Sequence, residues 1–300
     1  MPTSIRKILV TGASGQLGAA IVQEFRRDSD VVAPGHADCD LADHDKVMQV
    51  VAAVRPDVII NCASYNAVDA AEEHPEVALQ VNAFGVRSLA RAAGEIGAML
   101  VHYSTDFVFD GTADRPYTED DRPNPQSIYA CSKLLGEWFA ADVPGHYVLR
   151  VESLFGHVPG EGRAPKGSVA GIIDGIVEGR AVKVFADRTA SPTYIIDAAS
   201  ATRRVIERNL PAGVYHCVNA GLCTWQEMAE EAARTLGHEA RLEPVTLEQM
   251  ALRAVRPKFC ALSISKLRSA GIEMPTWKDA LGRYLKICAS DPTRASEPAK

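Results

Sequence analysis

The chain has 300 residues, of which 47% are hydrophobic and 23% charged, and a formal net charge of −6. That length can bury a full core, as one large domain or one and a half, and both charge signs are spread along it, which argues against nucleic acid or an anionic membrane as partner. No apolar run is long enough to span a bilayer, and Met1-Pro2-Thr3-Ser4-Ile5-Arg6-Lys7 does not read as a secretion signal. Residues 5–10 form a short apolar run, the mark of a buried parallel strand. Residues 15–27 are helical by period, with Leu17, Ile21, Val22 and Phe25 on one face. Residues 31–33 read as a second strand stopped by Pro34-Gly35, and 43–54 as a second amphipathic helix with Val47, Val50, Val51 and Val54 together. A third strand is predicted over 58–62, then a long helix over 75–96 with Pro75 in its first turn, where a missing N–H costs nothing. A fourth strand covers 98–104, a helix 128–141 and a fifth strand 147–151. Strand and helix alternate throughout, with connections too long for hairpins. The fold class is therefore α/β, a Rossmann-type doubly wound parallel sheet.

After Val151 the pattern changes to that of a smaller α+β lobe. Residues 156–167, rich in Gly, Pro and charge, predict a flexible loop over the site. Helices are expected over 169–178 and 197–208, strands over 182–185 and 214–218, and a last helix over 277–287. Thr224-Trp-Gln-Glu227 is a capping box that opens a helix running to about Leu236. Residues 1–151 are thus a cofactor-binding domain to which 181–213 return. Residues 152–180 and 214–289 make the substrate lobe, and the polar tail 290–300 reads as disordered. The seven cysteines are scattered and odd in number, with no Cys-x-x-Cys, which reads as free thiols in a reducing cytoplasm. The eight histidines show no metal-ligand spacing, so no metal is expected.

Gly12-x-x-Gly15-x-x-Gly18 lies between the first strand and the first helix. Gly12 permits a tight turn, Gly15 lets backbone approach a pyrophosphate, and Gly18 lets helix and strand pack closely. The helix N-terminus then offers free N–H groups and a partial positive charge to the phosphates. The second strand ends Ala33-Pro34-Gly35-His36, without the acid that usually grips an adenosine ribose. That omission removes repulsion against a 2′-phosphate and tilts the choice between NADPH and NADH slightly to NADPH. His36 either faces such a phosphate or is an exposed loop histidine. Asp40 and Leu41 are placed to flank the adenine. Ala63, Ser64 and Tyr65, after the third strand, sit where the chain meets the nicotinamide half, and Tyr103 joins the same cofactor set from the fourth strand.

Tyr129-Ala-Cys-Ser-Lys133 puts a phenol and an ammonium on one helix face. A free phenol, with a pKa of about 10, is a poor acid near neutrality, and a nearby ammonium lowers that value. Thr105, on the neighbouring strand, can donate its hydroxyl to a carbonyl oxygen. Hydride would leave nicotinamide for the carbonyl carbon as Tyr129 protonates the oxygen. Tyr-x-x-x-Lys arises often by chance; its place after the fourth strand, behind an N-terminal glycine turn, is what gives it weight. Elsewhere, Asp69 and Glu72 read as loop-ordering acids, and Arg256 as either a clamp for a substrate diphosphate or a surface salt bridge. Trp138 reads as core, and Trp225 and Trp277 as packing anchors. Cys131 has no histidine base nearby in sequence and is a poor nucleophile.

The stretches Gly12-Ala-Ser-Gly15-Gln16-Leu17-Gly18, Tyr65-Asn66-Ala67-Val68-Asp69-Ala70-Ala71-Glu72, Val81-Asn82, Ser104-Thr105-Asp106-Phe107-Val108-Phe109-Asp110-Gly111, Tyr129 to Glu137, Ser191-Pro192-Thr193 and Arg256-Pro257 carry a likeness. From Ile5 to about Leu285 the chain resembles an extended short-chain dehydrogenase/reductase, and within that group the dTDP-4-dehydrorhamnose reductase family. The glycine turn is shared by many families; the Ser-Thr-Asp-Phe-Val-Phe-Asp-Gly string is specific. The resemblance implies an NAD(P)H-dependent reductase of a nucleotide-linked 4-keto-6-deoxysugar, with Tyr129 as acid assisted by Lys133 and Thr105. It implies Gln16 and Leu17 at the pyrophosphate, Asp40 and Leu41 at the adenosine, Ser64 and Tyr65 at the cofactor, and Thr105 and Asp106 at the sugar. Some relatives are homodimers, and no apolar surface stripe in the sequence decides the matter here.

Two positions depart from the family. Ser153 stands where a tryptophan usually packs on the substrate, and Asn66 where threonine is usual. Losing the aromatic platform removes apolar contact from the sugar pocket, so the catalytic machinery is better supported than the identity of the sugar. The departure also motivates a second reading, a non-catalytic NADP-binding subunit like the regulatory subunit of methionine adenosyltransferase. A sugar-nucleotide epimerase on the same fold is a third. A dehydratase would want an Asp-Glu pair where this chain has Thr105-Asp106.

Overall fold

The computed structural model of the chain describes residues 7–160 and 167–290. Its first half runs β1 (Lys7–Thr11), α1 (Gln16–Phe25), β2 (Asp30–Val32), α2 (His44–Val54), β3 (Val58–Asn61), α3 (Val68–Glu73) and α4 (Pro75–Leu79). A π turn (Gln80–Phe84) leads into α5 (Gly85–Ile96), β4 (Met99–Thr105), a 3₁₀ turn (Asp106–Val108), α6 (Ile128–Ala140) and β5 (His146–Val151). Then come β6 (Leu154–Phe155), α7 (Ser168–Val177), β7 (Ala181–Phe185), β8 (Thr189–Ala190), β9 (Thr193–Tyr194), α8 (Ile195–Glu207) and β10 (Gly213–His216). The chain closes with β11 (Cys223–Thr224), α9 (Trp225–Leu236), β12 (Arg241–Val245), α10 (Ser265–Ser269) and α11 (Trp277–Ser290).

Six strands form one parallel sheet in the order β10-β5-β4-β3-β1-β2. Side chains alternate across its two faces. Ile8, Val10, Ile60, Val101 and Leu149 enter the cluster that includes α1 and α8. Leu9, Ile59, Leu100 and Val148 enter the cluster under α2 and α5. Each such fully buried aliphatic side chain contributes about 1.5–3 kcal/mol of transfer free energy. Because both faces are covered, the central strands read as continuous apolar runs, which is why the sequence reveals them. The doubly wound sheet is as expected.

The return of residues 181–213 to the sheet is not. Only α8 does so, lying against α1. β7 pairs with β12 away from the main sheet, and β10 is the sheet's sixth strand, next to β5. The physical reason lies in β7 itself, whose first four residues alternate exposed and buried. A strand wet on one face suits a two-stranded pair in the second lobe, not the middle of a doubly covered sheet. The helix expected over 75–96 is interrupted by the π turn, and α3 has no counterpart in the sequence reading. The first two residues of the strand expected over 5–10, half of the 156–167 loop at 161–166, and the tail at 291–300 fall outside the described residues. Among the described residues no helix is long and apolar enough to cross a membrane.

Candidate active site

The glycine turn is built by close approach. Gly12 has φ +69°, and a Cβ there would lie 2.5 Å from the Ala63 nitrogen; one on Gly18 would lie 2.2 Å from the Gly12 carbonyl oxygen. Gly15 caps α1 without a side-chain hydrogen bond, and the first turn of α1 carries no acid. The positive end of the helix dipole is therefore uncompensated by side chains, which suits an anionic group. The Gln16 side-chain amide donates to the Gly156 carbonyl (3.0 Å) and Leu17 is buried in the core, so what these two can offer a pyrophosphate is backbone. Asp40 accepts the Ala42 N–H (2.9 Å) and faces His36, while Leu41 is buried beneath Gly85, whose Cβ would meet it at 2.8 Å.

After β3, one asparagine orders the loop. Asn82, on the π turn, accepts from the Ser64 hydroxyl (3.0 Å) and the Tyr65 N–H (2.8 Å) and donates to the Tyr65 carbonyl and the Ser132 hydroxyl (3.0 Å each). The loop holding Ala63, Ser64 and Tyr65 is thereby tied to α6. The contact is tight: a Cβ on Gly136 of α6 would lie 2.3 Å from the Asn82 carbonyl oxygen. The Val81-Asn82 pair carried the family likeness, but nothing local in the sequence shows what Asn82 touches.

Helix α6 starts where Ser127 accepts the Ala130 N–H. Tyr129, Lys133 and Glu137 then fall at i, i+4 and i+8 on one buried face. Glu137 locks the helix to the sheet through a bidentate pair with Arg150 on β5 (2.9 and 2.7 Å) and a hydrogen bond from Ser104 (2.5 Å). Sequence reasoning passed over both residues, although an acid in register with Tyr129 and Lys133 and an arginine inside an apolar strand were visible signals. Lys133 donates to the Tyr103 carbonyl (2.6 Å), and burial lowers its pKa from 10.5 to about 8. The Tyr103 ring is turned to the core, its hydroxyl bonded to Thr202 of α8, so Tyr103 serves the site through its backbone.

The Tyr129 hydroxyl lies beside Thr105, which pulls its pKa down, and its ring meets Phe107 edge-on at 5.8 Å. Burial outweighs that pull and drives the phenol well above its ordinary value, and the charge of Asp106 adds to the rise. The expected acidification by Lys133 does not operate in this arrangement, because the ammonium is directed at the Tyr103 carbonyl. Thr105 donates to Asp106 Oδ1 (2.9 Å) and accepts the Phe107 N–H (3.2 Å). Asp106 is buried, with Arg188 3.6 Å from its other oxygen and Glu152 and Cys260 close by. Arg188 also stacks over Phe107 at 5.1 Å. Arg188, Glu152 and Cys260 come from three separate segments and carry no local motif. Ser153 follows Glu152 with φ +46°, a left-handed conformation unusual for a residue other than glycine.

Arg256 forms a bidentate pair with Asp69 (2.9 and 2.7 Å), and Asp69 also accepts the Ala254 N–H. A salt bridge is therefore formed, and Asp69 ties the loop at Ala254 to α3. Glu72 accepts the Ile128 N–H at the start of α6. Trp225 and Trp277 are buried, but Trp138 is 62% exposed, so its expected place in the core is wrong. The buried face of α6 belongs to Tyr129, Lys133 and Glu137, and Trp138 projects from the other side. Cys131 is exposed and burial of its thiol raises its pKa, the wrong direction for a nucleophile.

A family model described as the RmlD substrate binding domain matches residues 6–290. The chain belongs to this family. It is 37% identical over 282 residues to a dTDP-4-dehydrorhamnose reductase of Streptomyces griseus, covering 91% of each protein. A solved dTDP-4-dehydrorhamnose reductase from Bacillus anthracis, in complex with NADP, superposes with a TM-score of 0.88 at 32% identity, covering 94% of this chain and 99% of that one. Methionine adenosyltransferase 2 subunit beta of Danio rerio is 34% identical over 296 residues, covering 93% and 90%. The RmlD-family chain has a cradle that fits a dinucleotide: a left-handed Gly12, a Gly18 that admits no side chain, an α1 N-terminus free of acids, and a buried ammonium at Lys133.

Proposed function

We propose that the protein reduces the C4 ketone of a nucleotide-linked 4-keto-6-deoxysugar, as a dTDP-4-dehydrorhamnose reductase, with NADPH favoured over NADH. The observation that carries this reading is the buried phenol of Tyr129 beside Thr105, with Lys133 one turn on and the glycine cradle on the same sheet edge. The glycine turn and the α1 N-terminus would hold the pyrophosphate, Lys133 the ribose, and Ser64 and Tyr65 the nicotinamide half. The bound nicotinamide supplies hydride. Tyr129 gives its proton to the developing alkoxide, and a phenol whose pKa is raised by burial stays fully protonated until that charge appears. Thr105, whose proton points at Asp106 in the free protein, turns it to the ketone oxygen when substrate binds, and Asp106 and Ser153 face the sugar. Arg256 acts from its pairing with Asp69, at the edge of the sugar nucleotide. The acid-free end of β2 supports NADPH. The seven unpaired cysteines support a reducing compartment.

Purified protein with dTDP-4-keto-6-deoxyhexose should consume NADPH faster than NADH, read as loss of nicotinamide absorbance. Tyr129→Phe should lower kcat by about 10²–10⁴-fold while still binding the cofactor, the range expected for removing a general acid. Equal rates for wild type and mutant would reject the mechanism. The likeness to methionine adenosyltransferase 2 subunit beta favours a second reading, a cofactor-binding subunit without turnover. Cofactor binding with no oxidation by dTDP-, GDP- or CDP-linked 4-keto sugars, together with co-purification with a larger enzyme, would select it.

A further inference from the structure

Beneath Thr105 lie two carboxyl groups and one guanidinium. Asp106, Glu152 and Cys260 each place a donor atom within 4.8 Å of the others. Arg188 enters the group, with Nη2 3.6 Å from both Asp106 Oδ2 and Cys260 Sγ. Glu152 is 1% and Asp106 2% exposed. The guanidinium already brings positive charge to these donors, so the cluster does not call for a metal. Two ionised carboxylates against one guanidinium would leave an uncompensated charge in a buried site, which is costly. Taking up one proton avoids that cost, as in carboxylate pairs that share a site.

The hydrogen bonds say which group takes it. Burial raises the pKa of Asp106 too, but Arg188 near Oδ2 and the Thr105 hydroxyl on Oδ1 oppose that rise and favour its charge. Glu152 accepts the Ser191 N–H at Oε2 (2.6 Å), and its Oε1, like Asp106 Oδ2, is buried without a hydrogen-bond partner; of the two, only the Asp106 oxygen has the Arg188 guanidinium within ion-pair distance. We propose that Glu152 is a buried neutral acid and a positioning residue for the reduction, leaving Arg188 to hold Asp106 as the anion that orients the Thr105 hydroxyl. The inference rests on the reading of Tyr129 as proton donor. The titratable and charged groups that face Glu152 are Asp106, Arg188, Cys223 and Cys260. Burial raises both thiols, which therefore stay neutral, and it raises Glu152 first of all, with Asp106 adding to the rise and Arg188 opposing it. At alkaline pH Glu152 ionises and a second negative charge joins Asp106, which already disfavours the phenolate of Tyr129. Proton donation becomes harder, and turnover falls.

The experiment compares wild type with Glu152→Gln, an isosteric mimic of the neutral acid, and with Asp106→Asn. In the infrared difference spectrum of wild type minus Glu152→Gln at pH 7, the C=O stretch of a protonated carboxylic acid should appear. Asp106→Asn should keep that band. The alkaline limb of the kcat–pH profile should move up by about one unit or more in Glu152→Gln, a shift equivalent to a tenfold change in the governing equilibrium. No acid band in the wild-type difference spectrum, or an unmoved limb in an active mutant, would overturn the proposal. The infrared arm needs no turnover, so it still decides the proton's location should the reductase reading itself fail.

Discussion

Lys133 sits where an ammonium is expensive. It is buried, its charge is offset by the Tyr103 carbonyl and by Glu137 one turn on, and its pKa falls from 10.5 to about 8. The sign of the pH effect follows. Below about pH 8 the group is charged in folded and unfolded chains alike, and the burial cost is present in full. Between about 8 and 10.5 the unfolded chain binds a proton that the folded one lacks, so this group makes stability rise with pH; above 10.5 the cost is gone. Lys133→Met should therefore be relatively most stable below pH 8. Its advantage over wild type should shrink by about 3 kcal/mol across that window, from 1.36 kcal/mol per pKa unit. Urea midpoints of the cofactor-free proteins, measured from pH 7 to 10.5, check this as a difference between the two. Groups perturbed in this way cluster at functional sites. Tyr129 and Lys133 were legible because a helix puts i and i+4 together. The direction of the Tyr129 shift was not, because burial sets it, with Asp106 adding and Thr105 opposing, and burial is decided only by the folded chain.

Among the elements, α6 is held by backbone as much as by side chains. The π turn presents the Asn82 carbonyl to Gly136, and a Cβ at Gly136 would lie 2.3 Å from it. Gly136→Ala should force helix and turn apart and destabilise the protein by about 1–3 kcal/mol, the usual cost of overpacking. Because the same turn orders Ser64 and Tyr65, cofactor affinity should fall in the same mutant. Thermal melts and cofactor titration together test this; an unchanged midpoint and affinity would show that the turn yields freely. The bounds of α6, β3 and β5 could be read to within a residue or so, since long periodic segments bounded by loops signal themselves. The π turn could not, because one extra residue inside a helical run barely disturbs a 3.6-residue period. Nor could α3, whose six residues span less than two turns.

For the molecule as a whole, the parallel sheet follows from continuous apolar runs, and the change of pattern after Val151 is where the separate two-stranded sheets begin. The routing between them was misjudged, because strands of two to five residues such as β7, β9 and β10 look alike until their partners are known. The same limit hid the Asp106–Glu152–Arg188–Cys260 group, whose members are brought together only by the folded second half. The three indoles divide along this architecture. Trp225 and Trp277 open α9 and α11 in the interior of the second lobe, while Trp138 stands 62% exposed on α6. Native emission should thus contain a red, acrylamide-quenchable part from the cofactor half and a blue, shielded part from the other. Trp138→Phe should remove the quenchable part alone. The remaining glow then becomes a built-in optical gauge of the second half, with no dye or label attached, by which its loosening can be followed separately from that of the sheet.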